Sequence, residues 1–349
     1  EDLMQNAAHI FKPADALMYR EASPNIYGKN GFKGETWWAA DNPTFGATIN
    51  YYVKESLSTR KGARKKAEAA LAKDGNDTPY PSYDALRAED TEEAPYLFFD
   101  IKDERGNLIR RLKAPARKGL QSITWDFEFA SVSPIDNDPL ETFYESGGSF
   151  PAGPGTYYVS LHQVDSTGVQ ALSEPTPLKC VPLNNLSIPS ADRKELEDFY
   201  YELRELNRVA SGARMARNDI EKQWASIRAL VQQSANFDTD QANQLEKLRM
   251  RLYDVSVKLN GDRTLSSRDF ATTPSLSNRL GTSTYYAWGV RTEPTEQQKD
   301  NAAYVRSELP KVLDELKSIQ KELNDLFTKL NQSPIPHISG QIPELAPKK

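Results

Sequence analysis

Cysteine is all but missing from this chain. Cys180 is the one thiol in 349 residues, so no internal disulfide can form and cysteine usage leaves the redox compartment open. Histidine is almost as scarce. His9, His162 and His337 fall in separate segments with no HExxH, HxH or Cys/His spacing, which argues against zinc. No run of about 18 apolar residues occurs, so no membrane span is expected. Charge of one sign is not in excess: 44 Lys and Arg against 49 Asp and Glu give a net −5, unlike the basic balance of a nucleic-acid binder. No charged-then-apolar leader opens the sequence, so no signal peptide is visible in it. G-x-S-x-G is absent. Gly153-Pro154-Gly155 is followed by no GK[ST], and its proline lacks the amide a phosphate cradle uses. The acids Asp136, Asp138 and Glu141 sit in a polar loop over 130–150 without the alternation and turn glycine of a calcium loop. Neither a metal nor another cofactor is expected, and Cys180 in LKCVPL reads as a buried strand residue.

What is present is a strand cadence. Residues 95–163 run APYLFFDIKDERGNLIRRL, KGLQSITWDFEF and FPAGPGTYYVSL, alternating apolar positions punctuated by turn residues. Strands are expected at 45–54, 96–102, from Leu108 (sharing a face with Leu112), at 120–127 with Trp125 in the core, and at 156–163. Residues 169–181 close the sheet, and Gly106 supplies a positive-φ turn. Between the first two strands the period changes to a helical stripe, Ala63, Ala67, Ala70 and Leu71, beside Arg60, Lys61, Arg64, Lys65 and Lys66. Ser82 then caps a short helix from Tyr83 to about Asp90. This reads as a helical hairpin inserted at 57–93. Its basic run is a solvated face or a dock for an acidic partner. The acids Glu89, Asp90, Glu92 and Glu93 read as solvated surface.

Beyond a linker over 183–189 the pattern becomes helical. Leu196, Phe199, Leu203 and Leu206 begin one stripe, with a bend expected near Ser211-Gly212. Leu245, Leu248, Leu252, Val255 and Leu259 make a second, stopped by Gly261. A third starts at Thr295, boxed by Gln298, and carries Pro310, where a kink or restart is expected. Residues 262–294 read as loop-rich. The fold class is therefore α+β and multidomain: an antiparallel Ig-like β-sandwich with an inserted helical hairpin, followed by an antiparallel bundle of long α-helices. The bounds are 1–40 for an extended lead-in, 41–183 for the sandwich, 184–333 for the bundle and 334–349 for an extended tail. Trp37 and Trp38, and Tyr285, Tyr286 and Trp288, are the candidate binding aromatics. They read as platforms for sugar rings or, for the tryptophan pair, as anchors onto a core.

The order of blocks is distinctive: NPTFGATINYYVK, PYPSYDALRAEDTEEAP, DERGNLIRRL, KGLQSITWDFEF, PAGPGTYYVSL, then the helices. It resembles the C-terminal region of bacterial exported proteins of the BNR-repeat, sortilin-like (VPS10-type) propeller "glycosyl hydrolase" group, common in Bacteroidota. The resemblance implies a location outside the cytoplasm and a protein partner, either a β-propeller that precedes this region or an envelope complex. It supplies no catalytic residue here, because any hydrolytic site of that group would sit on the propeller. The expected function is a non-catalytic interaction module. The alternative is a carbohydrate-binding protein or one associated with glycoside hydrolysis, using the aromatics above.

Overall fold

A computed structural model describes residues 5–19, 44–135, 150–183, 193–233, 238–290 and 293–330. The chain divides into two compact units, Glu1–Ser131 with Asn137–Pro189 and Ser190–Lys349 with Val132–Asp136. It is α+β: antiparallel sheet in the first unit, helices in the second.

The first unit holds two sheets. In one, β1 (Ala8–Ile10), β3 (Ala47–Val53) and β6 (Gly119–Trp125) lie side by side, all antiparallel. In the other the order is β2 (Ala16–Met18), β9 (Thr176–Pro182), β7 (Gly155–Asp165), β4 (Tyr96–Lys102) and β5 (Leu108–Pro115), with β8 (Gly168–Ala171) folded onto β7. Only the β2–β9 pair in that sheet is parallel. Within the stretch expected as an extended lead-in, residues 8–10 and 16–18 are thus strands, one in each sheet, and bury Ala8, Ile10, Ala16 and Met18.

Period-two alternation selects the buried face. Ala47, Ile49, Tyr51 and Val53 of β3 are buried while Thr48 and Asn50 are exposed. Rings then join the sheets: Tyr51 meets Phe99 at 4.8 Å between centroids, and Trp125 meets Tyr157 at 4.8 Å, both edge-on. Leu108 departs from expectation. A register shift at Ile101/Lys102 leaves it exposed, and Ile109 and Arg110 are buried next to it.

The helical insertion lies where the change of period placed it. Helix α1 (Arg60–Lys73) is capped by Thr59, whose hydroxyl accepts from Gly62 N at 3.0 Å. Helix α2 (Tyr83–Asp90) is capped by Ser82, which accepts from Ala85 N at 3.2 Å. At its root, Leu57 N donates to Ala116 O and Lys118 N to Ser56 Oγ.

The second unit contains α3 (Arg193–Gln233), α4 (Thr239–Asn260), the short α5 (Arg263–Ser266), α6 (Leu276–Val290) and α7 (Glu296–Leu330). The stripe Leu245, Leu248, Leu252, Val255 and Leu259 is buried, and Gly261 ends α4 with φ 96°. Helix α3 continues through Ser211-Gly212 as one element, and α7 runs through Pro310 without a restart.

Cross-helix contacts fix direction. Glu195 meets Lys299, Glu202 meets Arg306 and Gln223 meets Asn324, so α3 and α7 run parallel. Trp224 meets Leu245 at the far end of α3, while Asn207 meets Thr284 and Arg214 meets Ser277 nearer its start. Helices α4 and α6 therefore follow one another, both antiparallel to α3. The bundle has three rods, each touching the other two, and one of them is broken between α4 and α6.

Helix α6 lies inside the stretch expected as loop. It is hidden in the sequence because its packing face is short and partly polar: Leu276, Leu280 and Ser283 are all buried. Ser283 Oγ donates to Gln298 O at 3.1 Å, and Gln298 Nε2 donates to Ser283 O at 3.3 Å. Gln298 also completes the cap of α7, accepting from Thr295 N at 2.7 Å. Thr295→Ala is expected to cost about 1 kcal/mol. Hydrogen exchange should show it as lost protection in the first turn of α7.

Candidate functional site

Trp37 and Trp38 lie outside the described residues, as do Asp136, Asp138 and Glu141. Tyr285, Tyr286 and Trp288 fall on α6, with their side chains outside the described set. Among the described residues no three His, Cys, Asp or Glu side chains group around a metal position, and no helix is long and apolar enough to cross a membrane. Cys180 is buried on β9, and burial pushes its thiol up to about 12. It is a core residue and a poor nucleophile.

One cluster has the composition of a triad. On the outward face of the larger sheet, Ser160 Oγ lies 3.0 Å from His162 Nε2, and Asp100 Oδ2 lies 3.9 Å from that same nitrogen. A relay needs the carboxylate on the opposite ring nitrogen, so this geometry is not one. Asp100 serves Arg111 instead, accepting from Nε at 2.6 Å and Nη2 at 3.2 Å. The Arg111 guanidinium lies 4.6 Å from the Phe98 ring centre, and His162 stacks on Phe98 at 4.8 Å. These contacts cover β4 on its outer side, which is why Phe98 and Asp100 are buried there.

Burial lowers the His162 pKa. Asp100 opposes that shift, but its charge is already held by Arg111, which together with Lys102 adds to the lowering. The folded state therefore prefers neutral His162, while the unfolded chain protonates near pH 6.5. The contribution is complete above that pH and is lost as pH falls from about 6.5 through the lower folded value. Urea melts of the sheet unit should weaken between pH 7.5 and 5.5. His162→Gln should flatten that part of the dependence.

A second cluster follows β6. Arg110 donates to both oxygens of Asp126 at 2.9 Å, and Glu128 has a raised pKa from burial, reinforced by Asp126 and opposed by Arg110. Phe127 between them takes φ 61°, a conformation costly for a bulky residue. The surroundings explain it. Phe127 O accepts from Ala152 N at 2.7 Å, Phe129 N donates to Phe150 O at 2.8 Å, and Trp125 Nε1 donates to Glu128 O at 2.9 Å. The carboxylates sit in a locked corner of the sheet unit, which accounts for their environment without chemistry.

Between α3 and α4 a cleft of about 200 Å³ is lined by Trp224, Arg228, Val231, Leu245 and Glu246. It is smaller than the usual range of about 300–1,000 Å³ for small-molecule sites.

The hairpin of α1 and α2 stands out for its exposure. Neither helix contains a buried residue. Arg64 holds them together, donating Nε to Glu89 Oε1 at 2.6 Å and Nη2 to Oε2 at 2.7 Å, and Nη1 to Glu68 at 2.7 Å. Arg60 N donates to Glu92. Two of the four acids expected as solvated surface, Glu89 and Glu92, are therefore paired with α1, and Arg64 holds the Glu89 carboxyl below the ordinary range. Tyr80 and Tyr83 are 81% and 77% exposed. The stripe Ala63, Ala67, Ala70 and Leu71 is on the helix as its spacing requires; its three alanines are exposed and Leu71 is half-buried. Sequence periodicity located the stripe and carried no signal of what covers it.

No protein-family model matches this chain, and no curated protein is similar to it in sequence. Among solved structures, dimeric latent PorU from Porphyromonas gingivalis is a partial likeness at 14% identity and a TM-score of 0.22, over 41% of this chain and 9% of that one. This chain thus spans under a tenth of that protein.

Proposed function

We propose that this chain is a non-catalytic interaction module of an exported bacterial protein, bracing a sortilin-like propeller or docking to an envelope complex. The observation that carries the docking part is the hairpin: two capped helices, cross-braced by Arg64, with no buried residue and with two tyrosines directed into solvent. Isolated helices of 14 and 8 residues are marginal in water. A protein that keeps such a pair at its surface, polar on most sides and apolar on one narrow stripe, has a use for it as a contact element.

The sheet unit is, on this reading, an Ig-like sandwich. The arrangement β1-β3-β6 against β9-β7-β4-β5 supports it, with Trp125 and Tyr157 packed between the sheets. The propeller family rests on the order of sequence blocks alone. Its test is the coding sequence upstream of residue 1. Propeller repeats there support the family, and a translation start immediately before Glu1 removes it while leaving the docking reading intact.

A further inference from the structure

An edge strand offers a row of unpaired N–H and C=O groups to any other strand, and folded proteins defend such rows with short strands, charge, proline or a bulge. Most edges of the sheet unit are defended in this way. Strands β1 and β2 are three residues long and β8 is four. Strand β5 carries Arg110, Arg111, Lys113 and Pro115, and a register shift disturbs its pairing with β4. Strand β6 is different. It is seven residues long, GLQSITW, with no charged residue and no proline. It pairs with β3 on one side and ends its sheet on the other.

The ladder shows which groups of β6 are open. Phe11 N donates to Asn50 O at 3.0 Å and Lys54 N to Ala7 O at 2.9 Å, so the even-numbered residues of β3 turn their backbone groups toward β1. Alternation turns Ile49, Tyr51 and Val53 toward β6, where they face Ile123, Gln121 and Gly119. Leu120, Ser122 and Thr124 therefore direct N–H and C=O away from β3. Among the described residues no hydrogen bond reaches those groups. Leu120 is 67% exposed and Ser122 is exposed.

The two ends of β6 identify the partner. Arg117 and Lys118 precede the strand, are exposed, and make no ion pair among the described residues. Asp126 and Glu128 follow it, with Arg110 opposing both, and the Asp126 side chain is still 39% exposed. An antiparallel pairing about a two-fold axis sets the basic end of each β6 against the acidic end of the other. Centred on Ser122, it places Ser122 opposite Ser122 of the second copy, Leu120 opposite Thr124, and Lys118 opposite Asp126. Each of the first two kinds of pair exchanges both of its backbone hydrogen bonds, so every open group of Leu120, Ser122 and Thr124 is satisfied on both copies. No like charges meet.

We propose that the open edge of β6 pairs antiparallel with the same edge of a second copy of this chain, joining two β1-β3-β6 sheets into one. This edge is separate from the α1–α2 hairpin, so the pairing goes beyond the docking reading and does not depend on it. Contact along one short strand falls at the small end of specific interfaces, below about 1,200 Å². The association is therefore concentration-dependent.

Sedimentation velocity on the whole chain, from about 1 μM to about 0.5 mM protein, tests this. A monomer–dimer equilibrium is expected, with the amides of Leu120, Ser122 and Thr124 gaining exchange protection as the dimer fills. Ser122→Pro should abolish it. That proline removes an N–H directed to the open side and leaves the ladder to β3 intact. Ser122→Lys and Ser122→Asp should each weaken self-association about tenfold, because like charges then meet on the axis. Mixing those two variants should restore a heterodimer. Circular dichroism checks that each variant keeps its fold. A wild-type chain that stays monomeric throughout overturns the proposal, as does a dimer indifferent to Ser122→Pro. So does a mixture of the two charged variants that fails to pair, or a monomer whose β6 amides gain protection only from an added Thr-Val repeat peptide. None of these results touches the docking reading of the hairpin, which is read from cross-links to other proteins.

Discussion

Trp125→Ala is expected to unfold or nearly unfold the sheet unit, at a cost of about 3–5 kcal/mol. The side chain is fully buried. It meets Phe127 at 5.6 Å and Tyr157 at 4.8 Å between ring centroids, and its Nε1 donates to Glu128 O. Alanine therefore removes the largest ring of the core and leaves the cavity unfilled. It also strips the half-buried Glu128 carbonyl of its donor at the corner where Phe127 is held at φ 61°. Trp125→Phe separates these effects. It restores most of the volume but not the hydrogen bond, so a loss of about 1–2 kcal/mol is expected. Because the chain has two units, a whole-molecule melt mixes two transitions. Amide exchange in β3 and β6 is the measurement that reads this one.

The second large effect comes from the smallest residue. Gly46→Ala should cost about 3 kcal/mol or more. Gly46 has φ 128°, and a methyl group there falls 2.3 Å from the Trp125 carbonyl oxygen and 2.7 Å from Thr124 Cγ2. The obstructing oxygen belongs to backbone at the end of the β3–β6 ladder, where Ala47 pairs with Trp125. It cannot swing away as a side chain would. The expected outcome is loss of exchange protection spreading from Ala47 along β3. Gly106→Ala is the control. Gly106 also has positive φ, at 82°, but nothing lies within 4 Å of its added methyl, so only the backbone penalty of about 1 kcal/mol applies.

These two residues mark the boundary of what the sequence discloses. Trp125 was legible, because an aromatic at a buried position of an alternating strand declares its role. The caps were legible for the same kind of local reason: Ser82 before α2 and Thr295 with Gln298 before α7 act where their spacing put them. Gly46 was not legible, since its constraint is the approach of a strand some eighty residues away. Helix α6 was missed because it packs through Ser283 and Gln298, and a buried serine gives no apolar periodicity. The network of Asp100, Arg111, Phe98 and His162 was missed for a related reason. Its members alternate correctly on three strands, but only the pairing of β4 with β5 and β7 brings them together. For the hairpin the outcome is mixed. Its helices, caps and stripe follow from the sequence, while the freedom of that stripe is a property of the tertiary structure.

The central claim is that this polypeptide acts by presenting folded surfaces to another protein. Lysine cross-linking with mass spectrometry, on the native protein in its own cells, tests it most directly. The account predicts reproducible cross-links from the hairpin lysines, Lys61, Lys65, Lys66 and Lys73, to another polypeptide, a propeller or envelope protein. A folded chain whose lysines link only within itself, and which binds a polysaccharide saturably with loss on Trp288→Ala, would contradict it.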